Sequence, residues 1–243
     1  FRFADDTTML TVAEDQSEQE MIFTPANPNY KTVTSNIPVT VKSRSITIRP
    51  DRKEKEYGQT ITEYTWSISD GSLAGEDLLD DLNVNVSLTA GDAEKESCEV
   101  GTYEITEKAP TTVENQNYVV IFEPGILIVQ PKPVDVVWNT DGTIIYTGKE
   151  VNVTAELSGV LFKDECKAVV EDGNAVEPGK YTASIVGLTG EQCYNYVLHG
   201  DDDEYQMEYQ IVKKEETKNP TDSKETSTGT AGKKPTGTSA SGK

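Results

Sequence analysis

The sequence predicts an all-β protein built from tandem small β-sandwich (Ig-like) modules arranged as a rod, and three observations carry that expectation. Short runs rich in Val, Ile, Thr and Tyr, bounded by Gly, Pro, Asn and Asp, recur along most of the chain, which is how strands separated by turns are written. A set of residues comes back at a fixed interval of 78, the mark of a repeated structural unit. About six such runs fall within each repeat, a number that suits a small two-sheet unit, with a β-grasp-like module as the alternative.

Taken in order, residues 1–44 resemble the closing part of a preceding β repeat. In "MIFTPANPNYKTVTSNIPVTV" (Met21 to Val41), Asn29 and Tyr30 stand before a final strand, "IPVTV". Residues 45–132 form the first full module, with strands expected at "SITIR", "YTWSIS", "NVNVSLT", "TYEIT", "YVVIF" and "ILIVQ". In "NVNVSLT" the side chains of Val84, Val86 and Leu88 share one face, as a period of two requires. "GEDLLDDL" (Gly75 to Leu82) is the one helical candidate, at most two turns long, and so short a helix depends on packing. "QPKPVDVVW" joins the modules, with Pro131 and Pro133 stiffening the connection. Residues 133–214 form the second module. Residues 215–243, made mostly of Thr, Ser, Lys, Gly and Pro without an aromatic, bury too little apolar surface to offset ordering entropy and are expected to be a disordered linker.

Gly101, Tyr103, Asn117 and Tyr118 recur as Gly179, Tyr181, Asn195 and Tyr196, each 78 residues on. Tyr57 and Gly58 of "EYGQTI" correspond to Tyr146 and Gly148 of "YTGKEV", and "ILIVQ" to "YQIVK". From Gly58 to Gly101 is 43 residues and from Gly148 to Gly179 only 31, while "HGDDDE" lengthens the second module after its Asn-Tyr pair. Such differences fall in loops, where they cost little. The shared residues suit scaffold roles. Glycine admits positive φ or close backbone approach. A tyrosine at a strand start buries its ring while its hydroxyl reaches a loop carbonyl. Asparagine before a strand can bond its own backbone.

Acidic side chains number 42 against 22 basic ones, a net charge of -20. That field repels phosphate backbones, so no nucleic-acid partner is expected, and self-repulsion favours a monomer. No run approaches the roughly 20 apolar residues that span a bilayer, so no membrane insertion is expected of this segment. The chain starts at Phe1 and stops inside a repetitive tail, and is read as a piece of a longer protein. Cys98, Cys166 and Cys193 are too few for a disulfide scaffold. One internal bridge can form, with Cys166 and Cys193 the candidate pair because both lie in the second module, and free thiols are the equal alternative.

An early Tyr-Gly, then Gly-Thr-Tyr, Asn-Tyr and a closing Gly-Ile-Leu-Ile together resemble the MBG repeat of bacterial surface proteins and adhesins. The resemblance runs over Ile46 to Val129 through Tyr57, Gly58, Gly101, Thr102, Tyr103, Asn117, Tyr118, Gly125, Leu127 and Ile128. The second module follows it less fully: Thr147 splits the Tyr-Gly pair, and no glycine precedes the last strand. "FTPANPNY" is similar to the end of a bacterial immunoglobulin-like repeat. These resemblances imply an extracellular, bacterial cell-surface setting, with wall attachment through a region beyond Lys243, and they bring no catalytic residues.

No catalytic set is expected. His199 is the only histidine, which leaves acid-base chemistry without a partner and excludes a His-rich metal site. Asp201, Asp202, Asp203 and Glu204 are the one candidate for calcium, but four consecutive acids lack the spaced ligands of a calcium loop, so neither metal nor cofactor is assigned. The second module departs most from the first at "QCYNY" and "DDDEYQ". Tyr194, His199, Asp201, Asp202, Asp203 and Tyr205 are therefore the candidate ligand loops, and Trp66, Trp138, Tyr194 and Tyr205 the flat rings a sugar would stack on. The expected function is a non-catalytic stalk or spacer of an adhesin-like surface protein. The alternative is direct binding of host mucin glycans or extracellular matrix proteins.

Overall fold

The computed structural model describes residues 1–14, 16–200 and 204–214. The expected linker 215–243 and the acids Asp201, Asp202 and Asp203 lie outside the described residues. Among these residues the chain is all-β, its only helical pieces being single 3-10 turns.

The N-terminal part is a three-stranded antiparallel sheet of β1 (Arg2–Phe3), β2 (Ser17–Phe23) and β3 (Val33–Val39), in that order. Tyr30, on the turn before β3, is 69% exposed, so it does not take the buried place held by the Asn-Tyr tyrosines of the two later units.

The first module contains β4 (Arg44–Pro50), β5 (Lys53–Glu56), β6 (Trp66–Asp70), β7 (Val84–Asn85), β8 (Leu88–Thr89), β9 (Gly101–Glu107), β10 (Thr112–Val113), β11 (Tyr118–Phe122) and β12 (Gly125–Gln130). Its first two strands run parallel to its last two in one unbroken register, from Arg44 opposite Tyr118 to Glu56 opposite Gln130. Both partners break at the same level. Pro50 and Gly125 meet there, and a Cβ on Gly125 would lie 2.5 Å from Pro50 Cβ and 2.7 Å from its carbonyl oxygen. Only glycine lets the two backbones cross so closely. The break divides the strands between two sheets, ordered β11-β4-β6 and β5-β12-β9-β8, with a small β10-β7 ladder beside them.

The second module contains β13 (Lys132–Trp138), β14 (Thr143–Ile145), β15 (Val151–Asn152), β16 (Ala155–Ser158), β17 (Lys167–Glu171), β18 (Asn174–Ala175), β19 (Gly179–Thr189), β20 (Tyr196–Leu198) and β21 (Gln206–Val212). Its sheets, β16-β13-β20 and β14-β21-β19-β17, repeat the strand order and directions of the first module. Only Pro131 separates β12 from β13, so the modules are held end against end.

Period-two alternation builds the cores. In β12, Leu127 and Val129 are buried while Ile126, on the opposite face of the same strand, is 47% exposed. Ile46, Leu82 and Tyr118 form one cluster of the first module, and Ala93, Ile105 and Leu127 a second. Val153, Ala175, Ala183, Tyr209 and Ile211 centre the second module, with Trp138 packed against them. The helical candidate at Gly75 to Leu82 shortens to a 3-10 turn over Leu79–Leu82. The Asp81 carboxylate takes the Leu78 N–H, and Asn83 stops the turn in the left-handed region.

Candidate functional site: the joint between the modules

The residues that recur along the chain do two kinds of work, and both are resolved atom by atom. Tyr103, early in β9, donates its hydroxyl to the Glu99 carbonyl at 2.8 Å. Tyr181, early in β19, does the same to the Glu177 carbonyl at 2.9 Å. The ring folds back over the strand's first residue: a Cβ at Gly101 would lie 3.4 Å from the Tyr103 ring, and one at Gly179 would lie 3.2 Å from the Tyr181 hydroxyl. These glycines therefore provide room for a ring.

The second tyrosine of each set closes a loop on an aspartate. The Tyr118 hydroxyl accepts the Ala74 N–H at 2.8 Å and donates to the Asp77 carboxylate. The Tyr196 hydroxyl accepts the Leu161 N–H at 3.0 Å and donates to the Asp164 carboxylate. In both loops the aspartate N–H returns to the same residue's carbonyl, Ala74 or Leu161. Burial, followed by the neighbouring Asp164 carboxylate, pushes the Tyr196 phenol up to about 12. The two aspartates were not singled out in the sequence, where only the loose pairing of "LAGED" with "VLFKD" signals them.

Asn117 and Asn195 differ from the expected role of bonding their own backbone. Each accepts a backbone hydrogen bond from the unit that precedes it: Asn117 Oδ1 from the Val12 N–H at 2.8 Å, and Asn195 Oδ1 from the Val100 N–H at 3.0 Å. The backbone N–H of each is already taken, that of Asn117 by Asn115 Oδ1 and that of Asn195 by the Gln192 carbonyl, and both side chains face the preceding unit. Asn195 is 1% exposed. Its Nδ2 has no satisfied acceptor among the described residues, a cost of about 1–3 kcal/mol that the surrounding joint must outweigh.

Tyr57 and Gly58 complete the joint from the other side. Tyr57 is buried, and its hydroxyl donates to Asp164 Oδ2 at 2.8 Å, the oxygen that also receives the Tyr196 hydroxyl. Its ring meets Tyr196 edge-on at 5.5 Å and 84°, and Phe162 at 5.6 Å and 86°, geometries that aromatic quadrupoles favour. Burial first, and then Asp164, drives the Tyr57 phenol far above its usual value. Gly58 has φ +92°, and a Cβ there would lie 2.2 Å from Leu161 Cδ1. Tyr57, Val129, Val134, Cys166 and Tyr196 thus form one buried cluster drawn from both modules. Beneath it the buried Lys55 ammonium donates to the carbonyls of Gln59 and Lys95, pinning the loop that leads to Val100.

The two other ends of the modules differ. Ahead of the first module, Met9 lies against Gly75, which stands where the second module has Phe162. At the far end of the second module, the Tyr146 N–H bonds the Val212 carbonyl just as the Tyr57 N–H bonds that of Gln130. Gly148 there has φ +76° with open space around it. Pro178 replaces Val100, and proline has no N–H to donate.

The candidate ligand residues are not gathered in one place. Tyr194 lies at the joint, half exposed, where the neighbouring Glu99 raises its phenol. Tyr205 donates to the carbonyls of Leu198 and Gly200, closing its own loop. His199 Nδ1 lies 3.0 Å from Asp135 Oδ1 with both side chains exposed. Cys98, Cys166 and Cys193 carry free thiols, all packed in the cluster of the joint. No helix among the described residues is long and apolar enough to cross a membrane.

No curated protein matches the chain. MBG domains are structural repeat domains of cell-surface proteins, and residues 46–128, the body of the first module and the range that contains Tyr57 and Gly58, match the family model of the MBG domain of the YGX type.

Proposed function

We propose that this chain is a non-catalytic spacer in the stalk of a bacterial cell-surface protein, exposed outside the cell and holding a separate binding region away from the wall. The observation that carries this reading is the use made of the shared residues. Tyr57, Gly58, Asn195 and Tyr196 are consumed in fixing one module to the next, and Tyr103, Tyr118 and Tyr181 in fixing loops to strands. Residues repeated for a ligand would present free polar groups to solvent, whereas the polar groups of these are bonded to the protein, with Tyr57, Tyr118, Asn195 and Tyr196 buried and Tyr103 and Tyr181 half-buried. A joint with a one-residue connection and a shared buried cluster resists bending, which is what a spacer needs.

Small-angle X-ray scattering on the full chain tests this. A spacer gives a pair-distance distribution with the long, skewed tail of an elongated particle; a symmetric, compact distribution contradicts it. Glycan or matrix binding that is lost on Tyr194→Ala or Tyr205→Ala would favour direct adhesion instead.

A further inference from the structure

We propose that the joint is a disulfide site, in which oxidation links Cys98 of the first module to Cys193 of the second and turns a non-covalent contact into a covalent staple. The two segments lie side by side across the joint in a shared order. The Val100 N–H bonds Asn195 Oδ1; one residue earlier on both segments, Glu99 is the neighbour that does most to raise the Tyr194 phenol; one residue earlier again stand Cys98 and Cys193. Both thiols are half-buried and pack on the same cluster of Tyr57, Val129, Val134, Cys166 and Tyr196.

The repeat supplies a second, independent argument. The position equivalent to Cys98 on the open end of the second module is Val176, and the position equivalent to Cys193 on the receiving end of the first module is Asn115. The cysteines therefore occur on the two facing surfaces of this joint and are absent from the corresponding surfaces that do not face each other. Cys166, the competing partner, belongs to the buried interior, where burial first and then the neighbouring Cys193 push its thiol up, so Cys193 has a thiol on either side and the peptide map must tell the two pairings apart.

The oxidant is a low-molecular-weight disulfide. One protein thiolate attacks it, forming a mixed disulfide and releasing one small thiol. The second protein thiolate then attacks the protein-side sulfur and releases the other. Two protein thiols lose two electrons and two protons, and one small disulfide becomes two small thiols. The linkage needs the joint described above, and it stands whether or not the chain is a surface stalk.

The full chain, incubated with oxidised glutathione, alkylated and digested with trypsin without reduction, supplies the test. Trypsin places the three cysteines in separate peptides, 96–108, 164–167 and 181–213. The expected result is a linked pair of 96–108 with 181–213 and an alkylated Cys166, unchanged in Cys166→Ser and absent in Cys98→Ser. Linkage of 164–167 to 181–213, glutathione adducts alone, or three alkylated thiols would each overturn the proposal. As a second reading, the oxidised chain should unfold at higher urea than the reduced one, a shift that disappears in Cys98→Ser. Equal midpoints would show that no staple spans the joint.

Discussion

Tyr57 and Tyr196 reach one carboxylate oxygen of Asp164 from opposite sides of the joint. A hydrogen bond to a charged group is worth more than a neutral one, so Tyr57→Phe, which keeps the ring, should cost about 1–3 kcal/mol in urea unfolding. Most of that cost should vanish in the Asp164→Ala background, since a double-mutant cycle isolates the pair. The same phenols set a pH limit. Tyr196 is raised from 10.0 to about 12, and Tyr57 and Tyr118 move the same way. Between those values the unfolded chain holds fewer protons than the folded one. Stability is therefore full below about pH 10 and falls as pH rises toward 12, and alkaline unfolding should coincide with tyrosinate absorbance at 295 nm (roughly the phenolate band). Glycine separates the joint from the open end. Gly148→Ala costs only left-handed strain, about 1–2 kcal/mol, whereas Gly58→Ala also displaces Leu161 from its cluster and should cost about 1–3 kcal/mol more. Tyr57 and Gly58 stand out in the sequence through their repetition, but their partners do not. Asp164 lies 107 residues from Tyr57, among many acids, and nothing local distinguishes it.

Strand content was legible because alternation exposes it. Leu127 is buried and Ile126 beside it exposed, so Leu127→Ala should lose about 2–5 kcal/mol and Ile126→Ala little, a contrast thermal unfolding would show. Equal effects would mean that β12 is not paired as described. Strand direction was not legible. The pattern of apolar residues is the same for parallel and antiparallel neighbours, and the pairing of β4 with β11 joins segments separated by most of the module. Gly125 was visible as a residue of the motif, yet its reason, the close crossing with Pro50, appears only once both strands are placed. The helical candidate, expected at two turns at most from the spacing of Leu78, Leu79 and Leu82, is a single 3-10 turn because Asp81 and Asn83 close it at once.

At the scale of the molecule, one module-receiving surface is used twice. Asn117 takes the Val12 N–H and Asn195 the Val100 N–H, so consecutive units are attached by one rule, and a net charge of -20 discourages them from associating with other copies. The duplication of the modules was plain in the sequence through Gly101, Tyr103, Asn117 and Tyr118; that the repeated asparagine looks outward to the preceding unit was not, since its partner is a backbone N–H with no sequence signature. The central claim is that the joint makes the two modules one mechanical body. Amide nitrogen-15 relaxation on the full chain tests it most directly. A single anisotropic diffusion tensor should fit residues 44–130 and 132–212 together and should split in Asp164→Ala. Two independent correlation times in the unmodified protein would contradict the claim.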